Sequence, residues 1–148
     1  MDLFTMTIPN RVSIALVLAF FGAALVSAMP LQVFWGHLGC GLLTLLITMF
    51  MFARGWLGGG DAKLLSATVL WIGPENLVTY LIAMTLLGGA LAIAILVYRA
   101  LIMPSWLIRQ DWALRLHEQG SGIPYGIALA GAGLWVYPAT HWYAAISV

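Results

Sequence analysis

The sequence predicts an all-α, polytopic membrane helix bundle, built as one domain over residues 1–148. Three observations predict it. Of the 148 residues, 63% are hydrophobic and 7% charged, and the mean hydropathy is +1.01. A water-soluble domain of this length has too little interior to hide so much apolar surface. The apolar residues also fall in long runs divided by short polar turns, the pattern of helices that each need about 20 residues to cross a bilayer. Finally, the basic residues are confined to alternate turns, as the positive-inside rule requires of a multi-pass chain.

Five crossing segments are expected, at roughly 11–29, 33–53, 61–73, 77–98 and 124–146. The first opens at Pro9-Asn10-Arg11, where Asn10 suits an N-cap and Arg11 marks a membrane boundary. Arg11, the apolar Val12–Ala24 and then Val26-Ser27-Ala28 also have the order of a signal peptide and its cleavage site. Further membrane helix follows, however, where a soluble mature domain would be expected. Met29-Pro30-Leu31-Gln32 turns the chain into the second segment, and Gly73-Pro74-Glu75-Asn76 joins the third to the fourth. The loop 99–123 carries Asp111 and Glu118 among Arg109, Arg115 and His117 and reads as a solvated interfacial segment. Ile123-Pro124-Tyr125-Gly126 opens the last segment.

Threading five helices gathers all six basic residues on one side. That side is expected to be cytoplasmic, with the N-terminus inside and the C-terminus outside. Trp35, Trp71, Tyr80, Tyr137 and Trp142 fall toward the outer ends, and Trp56, Trp106 and Trp112 toward the inner ends, as an aromatic belt would. A net charge of +1 offers no electrostatic footprint for nucleic acid. The single Cys40 excludes an internal disulfide and any cysteine-built zinc module. His37 and His141 lie near the outer headgroup level without ligand spacing, so neither metal nor cofactor is expected. No GxSxG or serine–lysine arrangement sits at a suitable depth for serine chemistry.

The chemistry concentrates at Gly58-Gly59-Gly60-Asp61-Ala62-Lys63-Leu64-Leu65. An acid at the head of a membrane segment is costly unless it is used, and the chain has only five acidic residues. Segment 61–73 is short: its thirteen residues span about 20 Å against a hydrocarbon core of about 30 Å. If its outer end reaches the outer surface, Asp61 lies below the inner surface, in a pocket that water must reach. A structural role is also available, since Asp is a preferred N-cap and glycines make turns. The two roles are compatible, because a helix N-terminus favours negative charge. Asp2, taken alone, reads as a solvated terminal residue, yet the topology puts it on the same face as Asp61.

Asp2 followed by Ile8-Pro9-Asn10, then Gly58-Gly59-Gly60-Asp61 with Lys63-Leu64-Leu65, resembles the type IV prepilin peptidases, integral-membrane aspartic proteases with a GxGD motif. The short length and Ile123-Pro124-Tyr125-Gly126 are most similar to the small CpaA/TadV branch that serves Tad/Flp pili. The resemblance implies catalytic aspartates at Asp2 and Asp61, with Gly58 and Gly60 shaping the turn and Pro9 and Asn10 completing the first motif. It implies a bacterial inner-membrane enzyme that removes the leader of a prepilin or pseudopilin at the cytoplasmic face, just before the pilin's apolar helix. Larger members add a zinc-binding cysteine region and N-methylate the product. This chain lacks those cysteines and so resembles a peptidase-only member. The family usually has six helices, one of them before the first aspartate. Here the chain starts one residue before Asp2, so the first helix is expected to be missing.

Two carboxylates sharing one water suit amide hydrolysis, one taking a proton from the water and the other giving one to the carbonyl oxygen or leaving amine. Such a pair holds one proton between them, because close like charges resist joint ionisation. Lys63 stands beside the site, either snorkelling to lipid phosphates or acting on the charge of Asp61. Gly36, Gly39, Gly41, Gly88 and Gly89 give two helices small faces for close packing, against each other or a substrate helix. Two other classes fit the composition: a non-enzymatic transporter or assembly subunit, and an inactive, shortened peptidase homologue. The first does not explain why both motif aspartates fall on one face with IPN and IPYG in place; the second is what the missing helix would suggest.

Overall fold

The computed structural model describes residues 7–101, 110–118 and 122–146. Asp2, Trp106 and Arg109 lie outside the described residues. Within them the fold is all-α: α1 (Asn10–Val26), α2 (Leu31–Ala53), α3 (Gly59–Ala100), α4 (Asp111–His117), α5 (Tyr125–Val136) and α6 (His141–Ile146), with a 3-10 turn at Tyr137–Ala139 between the last two. Two helices, Leu31–Ala53 and Gly59–Ala100, are long and apolar enough to cross a membrane, and only 17% of the most apolar window of each is buried. That low burial separates them from the core helix of a soluble protein. Side chains such as Leu18, Leu46, Leu86 and Ile93 are more than half exposed, a surface suited to lipid rather than water.

α3 is two arms rather than one rod. Gly73 has φ 75 and ψ 175, a backbone region open in practice only to glycine. The chain reverses there. Thr68 and Tyr80 would stand about 18 Å apart along an unbroken helix, yet both side chains come within 4 Å of where a Cβ on Gly133 would be. Arm one, up to Ile72, therefore runs antiparallel to arm two, from Pro74. The expected polar turn Gly73–Asn76 is thus a single-residue break. Pro74 can open arm two because the first residue of a helix has no intrahelical use for its N–H.

Arm one is the axis of the bundle. Its Leu65, Val69 and Ile72 pack with Tyr80 of arm two and with Leu129, Ala132 and Val136 of α5. On its other side Leu70 joins Phe20, Ala24, Met29 and Trp142. α1 and α2 barely meet along their length, and each lies on arm one instead. Against α2 the fit is close: Gly41 receives Leu70, and the hydroxyls of Thr48 and Ser66 stand 3.3 Å apart. Arg11, Arg54, Lys63 and Arg99 all fall at one end of the bundle, called here the basic end.

Several sequence expectations change. Arm one is short because its far end dips inward: Gly73 turns against the His37 ring and Pro74 against Gly36. That is about 8 Å below the start of α2. Its near end is level with those of its neighbours, since Phe52 meets Gly59 and Lys63 reaches Asn10. The segment expected over 124–146 breaks after Val136, where Pro138 within the turn Tyr137–Ala139 cannot continue an α-helix. His37 is buried rather than at a headgroup level, with Nδ1 2.8 Å from the Leu70 carbonyl. Tyr80 and Trp142 are also buried, the latter donating Nε1–H to the Trp71 carbonyl at 2.9 Å. These two are packing residues rather than belt residues, whereas Trp35 and Trp56 are exposed as a belt requires.

Substitution of Gly73 should be severe. A Cβ there would stand 2.5 Å from the His37 ring, on a backbone that disfavours any side chain. Gly73→Ala should lower stability by more than about 1–3 kcal/mol, read as thermal unfolding in detergent. Gly89→Ala, with nothing within 4 Å of its Cβ, should leave the midpoint unchanged.

Candidate active site

The triglycine turn and the residues before α1 meet at the basic end. Arm one has Gly58 as its N-cap residue, so Asp61 is the third residue of the helix and not its cap. The carboxylate still lies in the first turn, where the free amide dipoles favour negative charge. It folds back on the turn: a Cβ on Gly58 would stand 2.9 Å from Asp61 Oδ2. Gly58 has ordinary φ and ψ of −68 and 141. Its value here is therefore the space it leaves for the carboxylate, not a special backbone angle.

Gly60 makes room for the other motif. A Cβ on Gly60 would lie 3.2 Å from the Ile8 Cβ and 3.6 Å from the Ile8 backbone nitrogen. Ile8 thus rests directly on the turn that precedes Asp61. Two residues on, Asn10 Oδ1 accepts a hydrogen bond from Lys63 Nζ at 3.0 Å. The helix cap at this end is Pro9, with no side-chain cap bond. The expectation that Asn10 caps α1 gives way to a cross-link: Asn10 ties α1 to arm one. Lys63 reaches Asn10 rather than standing alone at the lipid surface.

Between these elements is a cleft of about 430 Å³, lined by Thr7, Ile8, Gly58–Asp61, Gly122, Ile123 and Tyr125. Asp61 is half-buried in its wall. The fourth side comes from the Ile123-Pro124-Tyr125-Gly126 stretch. Pro124 is fully buried, and the Tyr125 ring lies on Gly88 of arm two, 3.3 Å from where a Cβ would be. The three sequence motifs, far apart along the chain, therefore converge on one cavity. Arm two continues about 18 Å past Gly88 to Ala100 and overhangs the cleft. There Arg99 Nε donates to the Leu116 carbonyl at 2.7 Å and holds α4 against arm two. Glu118 is exposed, as expected for that loop. Among the described residues no three His, Cys, Asp or Glu side chains gather as metal ligands would.

A sequence model of the type IV leader peptidase family matches residues 1–93, a stretch that contains both Asp2 and Asp61. The chain belongs to the type IV leader peptidase family. Neither a curated protein nor a solved structure matches it. Family membership gives the protein a leader-peptidase type of function and a membrane setting, in keeping with its long, little-buried apolar helices.

Sequence reading named Asp2, which lies outside the described residues, and Asp61, Gly58, Gly60, Pro9, Asn10 and Lys63, which stand at or beside this cleft. It named Ile8 and Tyr125 only as letters of a motif. Their contacts with Gly60 and Gly88 could have been suspected from the glycines, which mark places where something approaches closely.

The two motif glycines make separable demands. Gly58→Ala should displace the Asp61 carboxylate, and Gly60→Ala should lift Ile8 from the turn. Each should slow leader hydrolysis by up to about 100-fold, the effect of a small misplacement in a catalytic geometry. Gly22→Ala, whose Cβ meets nothing within 4 Å, should retain the wild-type initial rate at matched membrane levels.

Proposed function

We propose that this leader peptidase is an aspartic endopeptidase that cuts Flp-type prepilins, with Asp61 and Asp2 as the catalytic pair. The observation that carries the reading is the seating of Ile8, six residues after Asp2, on Gly60 in the turn that holds Asp61. Thr7 lines the same cleft. The five Cα–Cα steps from Asp2 to Thr7 can span at most about 18 Å, so Asp2 is within reach of the same cavity.

In this mechanism the scissile carbonyl enters the cleft beside a water held by both carboxyls. One carboxylate removes a proton from the water as its oxygen attacks the carbonyl carbon. The other, in its acid form, protonates the carbonyl oxygen, giving a gem-diol; the first then passes the water's proton to the leaving amine as the C–N bond breaks, and the second recovers its proton from the gem-diol hydroxyl. The pair ends as it began, with one proton between its two members. No redox partner or metal is required by this balance. Lys63 holds Asn10, and Asn10 the entry to α1, so both act as positioning residues for the segment that carries Asp2.

Orientation follows from the distribution of charge. The basic end carries Arg11, Arg54, Lys63 and Arg99, so it faces the cytoplasm in an inner bacterial membrane. Leader removal then occurs on the cytoplasmic face, before the apolar helix of the substrate. With the single Cys40 in α2 the chain has no cysteine cluster for a second activity, and the reading is of a peptidase without methylation.

Co-expression with an Flp-type prepilin tests this. Wild type should shorten the prepilin by its leader. Asp61→Asn and Asp2→Asn should each reduce the rate by about 10²–10⁴-fold, the contribution of a general acid or base, at unchanged membrane levels. Cleavage that survives either substitution would exclude the two-aspartate mechanism.

A further inference from the structure

Tyr125 brings to the cleft a hydroxyl that the carboxylate mechanism does not use. Among the residues that line the cavity, only Thr7, Asp61 and Tyr125 carry a hydrogen-bonding side chain; the others are glycines and isoleucines. Thr7 and Asp61 are both engaged by other groups of the chain, whereas the Tyr125 hydroxyl has no partner among the described residues.

The ring itself is firmly placed. Pro124 is fully buried, and its φ of −74 and ψ of 76 close a three-residue turn in which the Tyr125 N–H donates to the Ile123 carbonyl at 2.8 Å. The ring then lies on Gly88, where the absence of a Cβ leaves it room. Its height in the bundle follows from the reversal at Gly73. Gly58 lies fifteen residues before Gly73 and Gly88 fifteen residues after it. Along antiparallel arms both are about 22 Å from the reversal. The Tyr125 ring therefore stands level with the turn onto which the Asp61 carboxylate folds. Tyr125 is 40% exposed, seated on arm two on one side and open on the other.

We propose that the Tyr125 hydroxyl donates a hydrogen bond to the carbonyl oxygen of the scissile peptide bond, an inference that rests on the leader-peptidase reading above. The glycines and isoleucines of the cleft offer that oxygen no side-chain donor. As the water attacks, negative charge grows on the oxygen before its proton arrives, and a hydrogen bond to it strengthens with that charge. An interaction that is stronger in the transition state than in the bound substrate raises kcat rather than lowering KM. The phenol keeps its own proton throughout, so the exchange of protons between the two carboxyls is unchanged. Gly88 and Pro124 act by holding the ring where the hydroxyl can reach the oxygen.

Steady-state cleavage of a purified Flp-type prepilin in detergent tests the assignment. Tyr125→Phe keeps the ring that packs on Gly88 and removes only the hydroxyl. It should lower kcat by between about 10-fold and 10³-fold, the range for loss of one donor to a developing oxyanion. KM and the thermal midpoint should match wild type. Tyr143→Phe, in α6 at the opposite end of the bundle, should keep the wild-type kcat. A wild-type kcat in Tyr125→Phe, a change confined to KM, or a loss that comes with a lower thermal midpoint would overturn the proposal. If wild type leaves the prepilin uncut, or Asp61→Asn cuts it as fast as wild type, it is the leader-peptidase reading that fails, and the role of Tyr125 with it.

Discussion

The structure depends on a reversal of the chain at Gly73. One residue with a positive φ turns α3 back on itself with no loop between the arms. The turn is held from two sides, by the His37 ring against Gly73 and by Gly36 under Pro74. His37 is itself fixed by the Leu70 carbonyl. This fixes where arm one begins its descent, and the helical rise then sets where its other end, with Asp61, arrives. A shift of one residue at the turn would rotate the Asp61 side chain by about 100° around arm one. The backbone at Gly73 is therefore coupled to the cleft by geometry alone, over the full length of the arm.

The helical class and the elements that meet at the cleft were legible in the sequence because they rest on local signals. Apolar runs announce helices, and a carboxylate beside three glycines announces itself by cost. What was not legible depends on lateral packing. Tyr80 and Trp142 have the sequence positions of belt residues, yet both turn inward against arm one and α5. Hydropathy reports depth along a helix and says nothing of which face meets a neighbour. Asn10 looked like a cap because caps are local, and its real partner, Lys63, is distant in sequence. Pro74 looked like a turn because proline ends helices, but at a helix start it is harmless. Pro138, by contrast, was a readable signal for the break after Val136.

The short arm also corrects the argument from length. Thirteen residues against a full bilayer suggested an acid sunk below the basic surface. Measured against α1 and α2, Asp61 is level with their basic ends, because the missing length is taken up at Gly73. Measured against arm two, it is deep, since that arm runs well past Gly88 before Arg99 ends it. The cleft is therefore walled on one side and low on the other. Arm two, with α4 held against it by Arg99, stands on the walled side.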